Sequence, residues 1–395
     1  MIIRGQHHLS KVGLAIGMLG ITYLIWKVIS LQGQDLTFKY IWLAGNLWQD
    51  GLNPYSIEYQ EIGHKMFTAF NGQPFYYPPN WWPFSNILAA FDYTTATEIW
   101  RVLNGLCIIS STFLLNGAMK KIGINLTLSS LILYTGLVSL MQASAIIIAT
   151  GQTTILIYFG LCLVIYSAVN SRPLLLALGL CVMLLKPQIG VALFFAFIPF
   201  KKYHMALLYT CVLTFLLMLP ALITIGPLET ILPFLKGLSQ HSSFATNEAQ
   251  NSTGLKSILY SITNFKLPST MATLLSIVGT LGAGLYFKKS GKENSTNFIT
   301  YWMIIIMITA FVAPLHEYDM IIIAPLILLC AIYGVRAQWL LSIPFIVLAR
   351  SDNIGNLFTT ANADEARYYV SIATTVALVA LIIILAKIIR QAKEE

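Results

Sequence analysis

The sequence predicts an all-α polytopic membrane protein of about twelve transmembrane helices, and three observations lead there. Of 395 residues, 57% are hydrophobic and 10% charged, with a mean hydropathy of +0.73, more apolar surface than a soluble core absorbs. The long apolar runs lack the alternating segments of about ten residues that a transmembrane barrel needs. Basic residues return again and again to one side of those runs, which is the positive-inside bias.

Taken in order, the elements follow from that bias. With the amino terminus in the cytoplasm, Arg4, Lys11, Lys120-Lys121, Arg172, Lys201-Lys202, Lys288-Lys289, Lys292, Arg336, Lys387, Arg390 and Lys393 all fall inside, joined among the acids only by Glu293, Glu394 and Glu395. The formal charge of +8 is therefore a mark of topology and not a nucleic-acid footprint. The first apolar run, Val12 to Leu31, is too long for a signal-peptide core and lacks a small-residue cleavage site, so it reads as a retained helix. Further spans are expected near 94–118, 124–140, 152–169, 173–186, 187–200, 203–225, 268–287, 297–313, 319–334, 337–349 and 368–389, which return both termini to the cytoplasm. The apolar stretch from Trp81 to Phe91 would push Lys120 and Lys121 outside if it crossed, so it is expected along the outer interface, where Trp81 and Trp82 are at home.

The interval between Arg172 and Lys201 is too short for two full helices of roughly 20 residues. Two short helices meeting at Lys186-Pro187 resolve this, because proline has no amide hydrogen and disfavours helix in the residue before it. The alternative is one tilted, kinked helix with a snorkelling lysine. Residues 1–395 read as a single integral membrane domain with a long first extracytoplasmic loop at 32–93 and a long fourth one at 226–267; loops of such length are functional or disordered. The amphipathic stretch Phe38 to Trp48 is expected at the membrane interface, ending in the turn Gly51-Leu52-Asn53-Pro54-Tyr55. Cys107, Cys162, Cys181, Cys211 and Cys330 lie in expected spans without paired spacing, against both a disulfide framework and a zinc site.

Ordered along these spans stand Asp35, Phe38-Lys39-Tyr40, Ala44-Gly45, Gly51, Asn53-Pro54-Tyr55, Tyr77-Pro78-Pro79, Gly151-Gln152, Leu185-Lys186-Pro187 and the His316 cluster. In order and spacing these residues resemble glycosyltransferase family 87 of the GT-C superfamily, over roughly residues 30 to 335. The resemblance implies the GT-C fold and a hexosyltransferase of the EC 2.4.1 type acting in cell envelope glycan synthesis. It implies a polyprenyl-phosphate-linked sugar donor, mannose by likeness to polyprenol-phosphate-mannose-dependent members, and a lipid-linked or glycan acceptor. Transfer would be inverting and extracytoplasmic, at an inner (plasma) membrane, with the active site facing the periplasm or exterior. It also implies that Asp35 is the catalytic base. Family members often place that acid directly before the phenylalanine; here Thr37 stands there, two residues after Asp35.

The residues support such chemistry independently. Ionisable groups at membrane depth cost roughly 2.5 to 3.5 kcal/mol each, so they line functional cavities by default. A transfer from phosphate needs a base for the acceptor hydroxyl and positive charge or directed hydrogen bonds for the leaving group. Asp35, just beyond the first helix, is base or helix terminator; Asp50 is the fallback. Lys186 offers a compact charge for phosphate, and His316 either a phosphate or acceptor contact or a helix cap. Glu317 and Asp319 are substrate ligands or first-turn dipole partners. Gln152 and Asn251 could bind sugar hydroxyls, Gln152 alternatively finishing a helix start. Tyr77 with Pro78-Pro79 is a loop corner and cavity wall. Arg350 and Arg367 are placed to bind lipid anions or to snorkel. With no His-x-x-x-His pair, cysteine cluster or Asp-x-Asp motif, no metal and no cofactor is expected. Membrane lipids are expected around a monomer, with no nucleic acid bound. The competing class is a transporter or flippase of lipid-linked sugars, for which inverted repeats are the usual sign; none is found. A third class is a structural subunit that would need neither Asp35 nor Lys186.

Overall fold

Helix satisfies every backbone donor and acceptor within one segment, the requirement lipid imposes on an apolar chain. In the computed structural model, which describes residues 11–30, 37–68, 70–242, 248–290, 295–329 and 363–394, every regular element is accordingly helical. From the amino end, α1 (Lys11–Ser30) precedes α2 (Phe38–Gln49), α3 (Ile57–Met66), a 3-10 turn at Pro79–Trp81 and α4 (Trp82–Ala89). The long α5 (Tyr93–Lys121) is capped by Asp92, whose carboxylate accepts from the Thr95 amide at 3.1 Å, and ends on Lys120-Lys121, cations matched to a helix carboxyl end. Next come α6 (Leu128–Leu140), α7 (Gln142–Thr150), α8 (Thr154–Val169), α9 (Pro173–Met183), α10 (Pro187–Phe197) and α11 (His204–Ile225). The carboxyl half holds α12 (Pro227–Ser242), a 3-10 turn at Ala249–Asn251, α13 (Leu255–Thr263), α14 (Ser269–Ser290) and α15 (Ser295–Val312). A 3-10 helix at Glu317–Ile323, α16 (Pro325–Leu329) and α17 (Ala363–Glu394) close the chain.

Among the described residues, five stretches are long and apolar enough to cross a membrane: Lys11–Ser30, Tyr93–Lys121, Lys201–Ile225, Ser269–Lys289 and Tyr368–Lys387. The expected span at 124–140 is instead followed by a second helix, α6 and α7 bending by 60° where Met141 turns extended. The expected crossings at 152–169, 173–186, 187–200 and 297–313 are shorter apolar helices. The break between α9 and α10 falls at Lys186, as the two-helix reading requires, with Lys186 extended ahead of Pro187. The single helix expected at 319–334 is replaced by the 3-10 helix and α16. Pro325 has no amide to donate to the Ile321 carbonyl, which accepts from Ala324 at 3.0 Å instead, and that i to i−3 bond tightens the turn. The whole of the expected span at 337–349, with Arg336 and Cys330, lies outside the described residues. The described cysteines Cys107, Cys162, Cys181 and Cys211 are free thiols.

Two expectations for the first loop are corrected. The Phe38 to Trp48 helix does not turn its aromatic face to lipid: Phe38, Tyr40, Ile41, Trp42, Leu43, Leu47 and Trp48 are all buried in protein, α2 resting on α4 and the Phe38 ring lying 5.6 Å from that of Trp100 on α5. Trp81 likewise is fully buried, because its indole N–H has a partner deep in the fold. The two long loops also pack together. Asn53 Nδ2 donates to the Glu229 carbonyl at 2.8 Å, and the Tyr55 ring lies 5.8 Å from Phe234 of α12.

Helices α1 and α6 cross closely through small residues, the usual way apolar helices associate when both face lipid. A Cβ on Gly20 would stand 2.2 Å from the Gly136 carbonyl oxygen, and one on Gly136 2.3 Å from that of Gly17. The outer face of α1 carries Val12, Leu19, Trp26 and Ile29, all exposed, as a lipid-facing surface requires. Gly136→Leu is expected to destabilise the fold by about 1–3 kcal/mol through overpacking, read as a lower melting temperature in detergent, whereas Leu19→Ala on the outer face should leave it nearly unchanged.

Candidate active site

Three chain interruptions meet at the centre: the turn at Thr150–Thr154, the break at Lys186-Pro187, and the segment Leu315–Asp319. Gly151 ends α7 in the left-handed region, with φ of 67°, and a Cβ there would lie 2.5 Å from Phe38 Cβ. That contact lets the start of α2 close on the turn. Thr37 N donates to the Thr150 carbonyl at 2.9 Å, and Gln152 Nε2 donates to Thr37 Oγ1 at 2.9 Å. The carbonyls released at the breaks are taken by indoles: Trp100 Nε1 donates to Gly151 O at 3.2 Å and Trp81 Nε1 to Leu185 O at 2.9 Å. Unmet backbone groups in an apolar interior would otherwise cost several kcal/mol each.

Lys186, only 8% exposed, points its ammonium at Asp319 and Thr154. Its Nζ donates to Asp319 Oδ1 and, at 3.0 Å, to Thr154 Oγ1, while the Thr154 hydroxyl donates to Asp319 Oδ1 at 2.7 Å. The second carboxylate oxygen, Oδ2, accepts from the His316 backbone N–H at 3.1 Å. Asp319 is fully buried, so both its oxygens are spent on internal partners. The ammonium also lies over the Tyr318 ring, whose centroid is 5.2 Å from Nζ.

His316 stacks on Tyr318 at 5.3 Å and directs Nδ1 to the Asn251 carbonyl at 2.9 Å. A carbonyl only accepts, so the Nδ1 proton is fixed there and Nε2 carries the lone pair in the neutral ring. Burial lowers the His316 pKa, partly opposed by the nearby Asp319 charge and by the Asn251 bond. Tyr76 and Tyr77 stack at 4.7 Å; burial pushes the Tyr76 phenol up to about 12, and Asp319 adds to the shift. Burial raises the Tyr77 phenol as well, and its ring lies 5.5 Å from that of Trp81, whose indole reaches the carbonyl next to Lys186.

The structure therefore gathers Lys186, His316, Asp319 and Tyr77 in one region. Glu317 is half-buried beside Tyr318. The Gln152 amide is engaged with Thr37, and Asn251 contributes its backbone carbonyl to His316. Asp35 and Arg350, and the side chain of Arg367, lie outside the described residues. Sequence reasoning saw Tyr318 only as a member of the His316 cluster and passed over Thr154, Tyr76 and Lys256. Thr154 follows Gly151 as the last polar residue before an apolar helix; Lys256 is a lone cation in an apolar nine-residue helix, a signal that was present.

A helical membrane protein whose buried polar groups converge at the breaks between its helices belongs to the class in which such groups do chemistry or transport. The model of glycosyltransferase family 87 matches residues 75–314, more than half of the chain. The protein belongs to that family and is a membrane glycosyltransferase. The match takes in Tyr77, Thr154 and Lys186 and ends at Pro314, just ahead of His316. No curated protein matches the chain.

Two outcomes test this geometry. Lys186→Met or Asp319→Leu alone should cost about 3–5 kcal/mol by stranding the opposite charge, while the double variant should recover most of it; thermal unfolding in detergent reads both. Because the fold favours neutral His316, its contribution is complete above the ordinary histidine pKa of 6.5 and is lost as pH falls through the lower folded value. Wild-type melting temperature should thus drop more steeply as pH falls below the ordinary histidine pKa of 6.5 than that of His316→Gln.

Proposed function

We propose that this glycosyltransferase moves a hexose, mannose by its resemblance to polyprenol-phosphate-mannose-dependent enzymes, from a polyprenyl-phosphate donor to a lipid-linked or glycan acceptor. The reaction takes place on the extracytoplasmic side of the inner (plasma) membrane, with both termini cytoplasmic and the protein monomeric. The acceptor hydroxyl oxygen attacks the anomeric carbon opposite the phosphate, and Asp35 takes the hydroxyl proton. The carbon–oxygen bond to phosphate breaks with its electron pair on the departing oxygen, and the configuration inverts.

Lys186 and His316 serve the leaving phosphate. Lys186 commits two of its three ammonium protons to Asp319 and Thr154, leaving the third for a ligand oxygen at the Tyr318 ring. With Nδ1 donating to Asn251, His316 would bind a phosphate oxygen through Nε2 as an imidazolium, the form an incoming anion favours. Tyr77 walls the sugar, with Gln152, Asn251, Glu317 and Arg350 as candidates for its hydroxyls; Asp319 acts through Lys186 and His316 rather than on the substrate. Thr37 is anchored on the Gly151-Gln152 turn, which supports Asp35, two residues earlier in the chain, as the base. The single observation that carries the reading is a lysine and a histidine, drawn from separate helix breaks into one buried site, within a chain of this family.

Reconstituted protein given polyprenyl-phosphate mannose and a mixed lipid acceptor extract should form a new glycosidic bond, and Asp35→Asn should slow that by about 10²- to 10⁴-fold. Translocation of the donor lipid with no bond formed would replace this reading with a transporter.

A further inference from the structure

The carbonyl that holds the His316 ring belongs to a short strap, Asn251-Ser252-Thr253-Gly254, which pairs with the His316 segment at three points. Asn251 O accepts from His316 Nδ1 at 2.9 Å, and Thr253 N and Oγ1 donate to Leu315 O at 2.9 and 3.1 Å. Bonds between two loop segments fix them to one another but not to the helical bundle. An anchor is needed.

That anchor comes from α17, a helix long and apolar enough to cross the membrane. Its buried Thr375 donates its hydroxyl proton to Ser371 O at 2.7 Å, and with that proton committed the oxygen accepts the Gly254 N–H at 3.0 Å. Gly254 also meets the end of α15. A Cβ there would stand 2.1 Å from the Phe311 carbonyl oxygen, and its φ of 69° is one that glycine adopts without steric cost. The strap is thereby seated against α15 and α17, which pack on one another. Thr375 lies well beyond residues 75–314, the part of the chain that the family model matches.

We propose that Thr375 is a positioning residue for His316: it pins the strap to α17, and the strap in turn keeps the imidazole proton on Nδ1. Any further proton that the ring takes up must then go to Nε2, the atom assigned to a phosphate oxygen in the reading above, on which this role in transfer rests. Thr375 itself makes and breaks no covalent bond and touches no substrate.

The test uses full-length protein whose histidines are isotopically labelled at Nδ1, studied by nitrogen NMR at a pH above the ordinary histidine pKa of 6.5, where the ring is neutral. Wild type should show a protonated Nδ1 that is missing from His316→Gln. Thr375→Val keeps the size of the side chain but cannot accept the Gly254 N–H, so it should lose most of that signal as the ring moves its proton to Nε2. Sugar transfer should slow by about tenfold or more through misplacement of the ring, and Thr375→Ser, which keeps the hydroxyl, should restore both signal and rate. A Thr375→Val protein whose Nδ1 stays protonated, or whose transfer rate matches wild type, would overturn the assignment and make Thr375 a packing residue. So would failure of both Thr375→Val and Thr375→Ala to accumulate in the membrane. Loss of the Nδ1 signal in Thr375→Val, beside a wild type that forms no glycosidic bond from polyprenyl-phosphate mannose, would uphold the anchoring of the ring and remove the polyprenyl-phosphate reading instead.

Discussion

The centre of this protein is organised by one buried ion pair. Bringing the Lys186 ammonium and the Asp319 carboxylate out of water costs several kcal/mol per charge, and their attraction repays it only with good geometry and every remaining proton and lone pair satisfied. Those conditions dictate the surroundings. Thr154 must stand at the head of α8 to bridge the two groups, and the amide of His316 must close on the second carboxylate oxygen. Three segments far apart in the chain are thereby held to one point.

Such a point can exist in an apolar bundle only where helices are interrupted, and each interruption sets backbone groups loose. Trp100 takes the carbonyl at Gly151 and Trp81 the one at Leu185, so two tryptophans serve as side-chain partners for broken helices. Pro187 and Pro325 each begin a new helix, a position where the missing amide is harmless. The same breaks that interrupt the ladder bring Lys186 and the His316 backbone to the two oxygens of Asp319, and a donor phosphate is proposed to enter there.

Much of the site was legible before the structure. Lys186 stood out because an ammonium next to proline, between helices too short to cross, has little reason to face lipid; His316 stood out as the first of four polar residues in an apolar stretch. What failed was the reading of surroundings. Phe38 to Trp48 and Trp81 have the composition of an interfacial belt, and composition cannot tell a membrane surface from an aromatic core of equal polarity. Gln152 also donates to Thr37, a partner 115 residues away that no local pattern announces. Lys256 was passed over because a single lysine in a loop helix looks solvated until its neighbours are known.

Hydrophobicity, the side on which cations recur and the placement of prolines are local properties, so the chain alone determined a helical membrane protein, the break at Lys186 and a set of polar residues too costly to leave in lipid. Only the tertiary structure decided which of those residues meet. It set Asp319 against Lys186 and not toward solvent, tied His316 to Asn251, and laid the second long loop against the first through Asn53 and Glu229. Pairings of this kind depend on distances between segments far apart in sequence, and those are fixed by packing, which no stretch of residues encodes by itself.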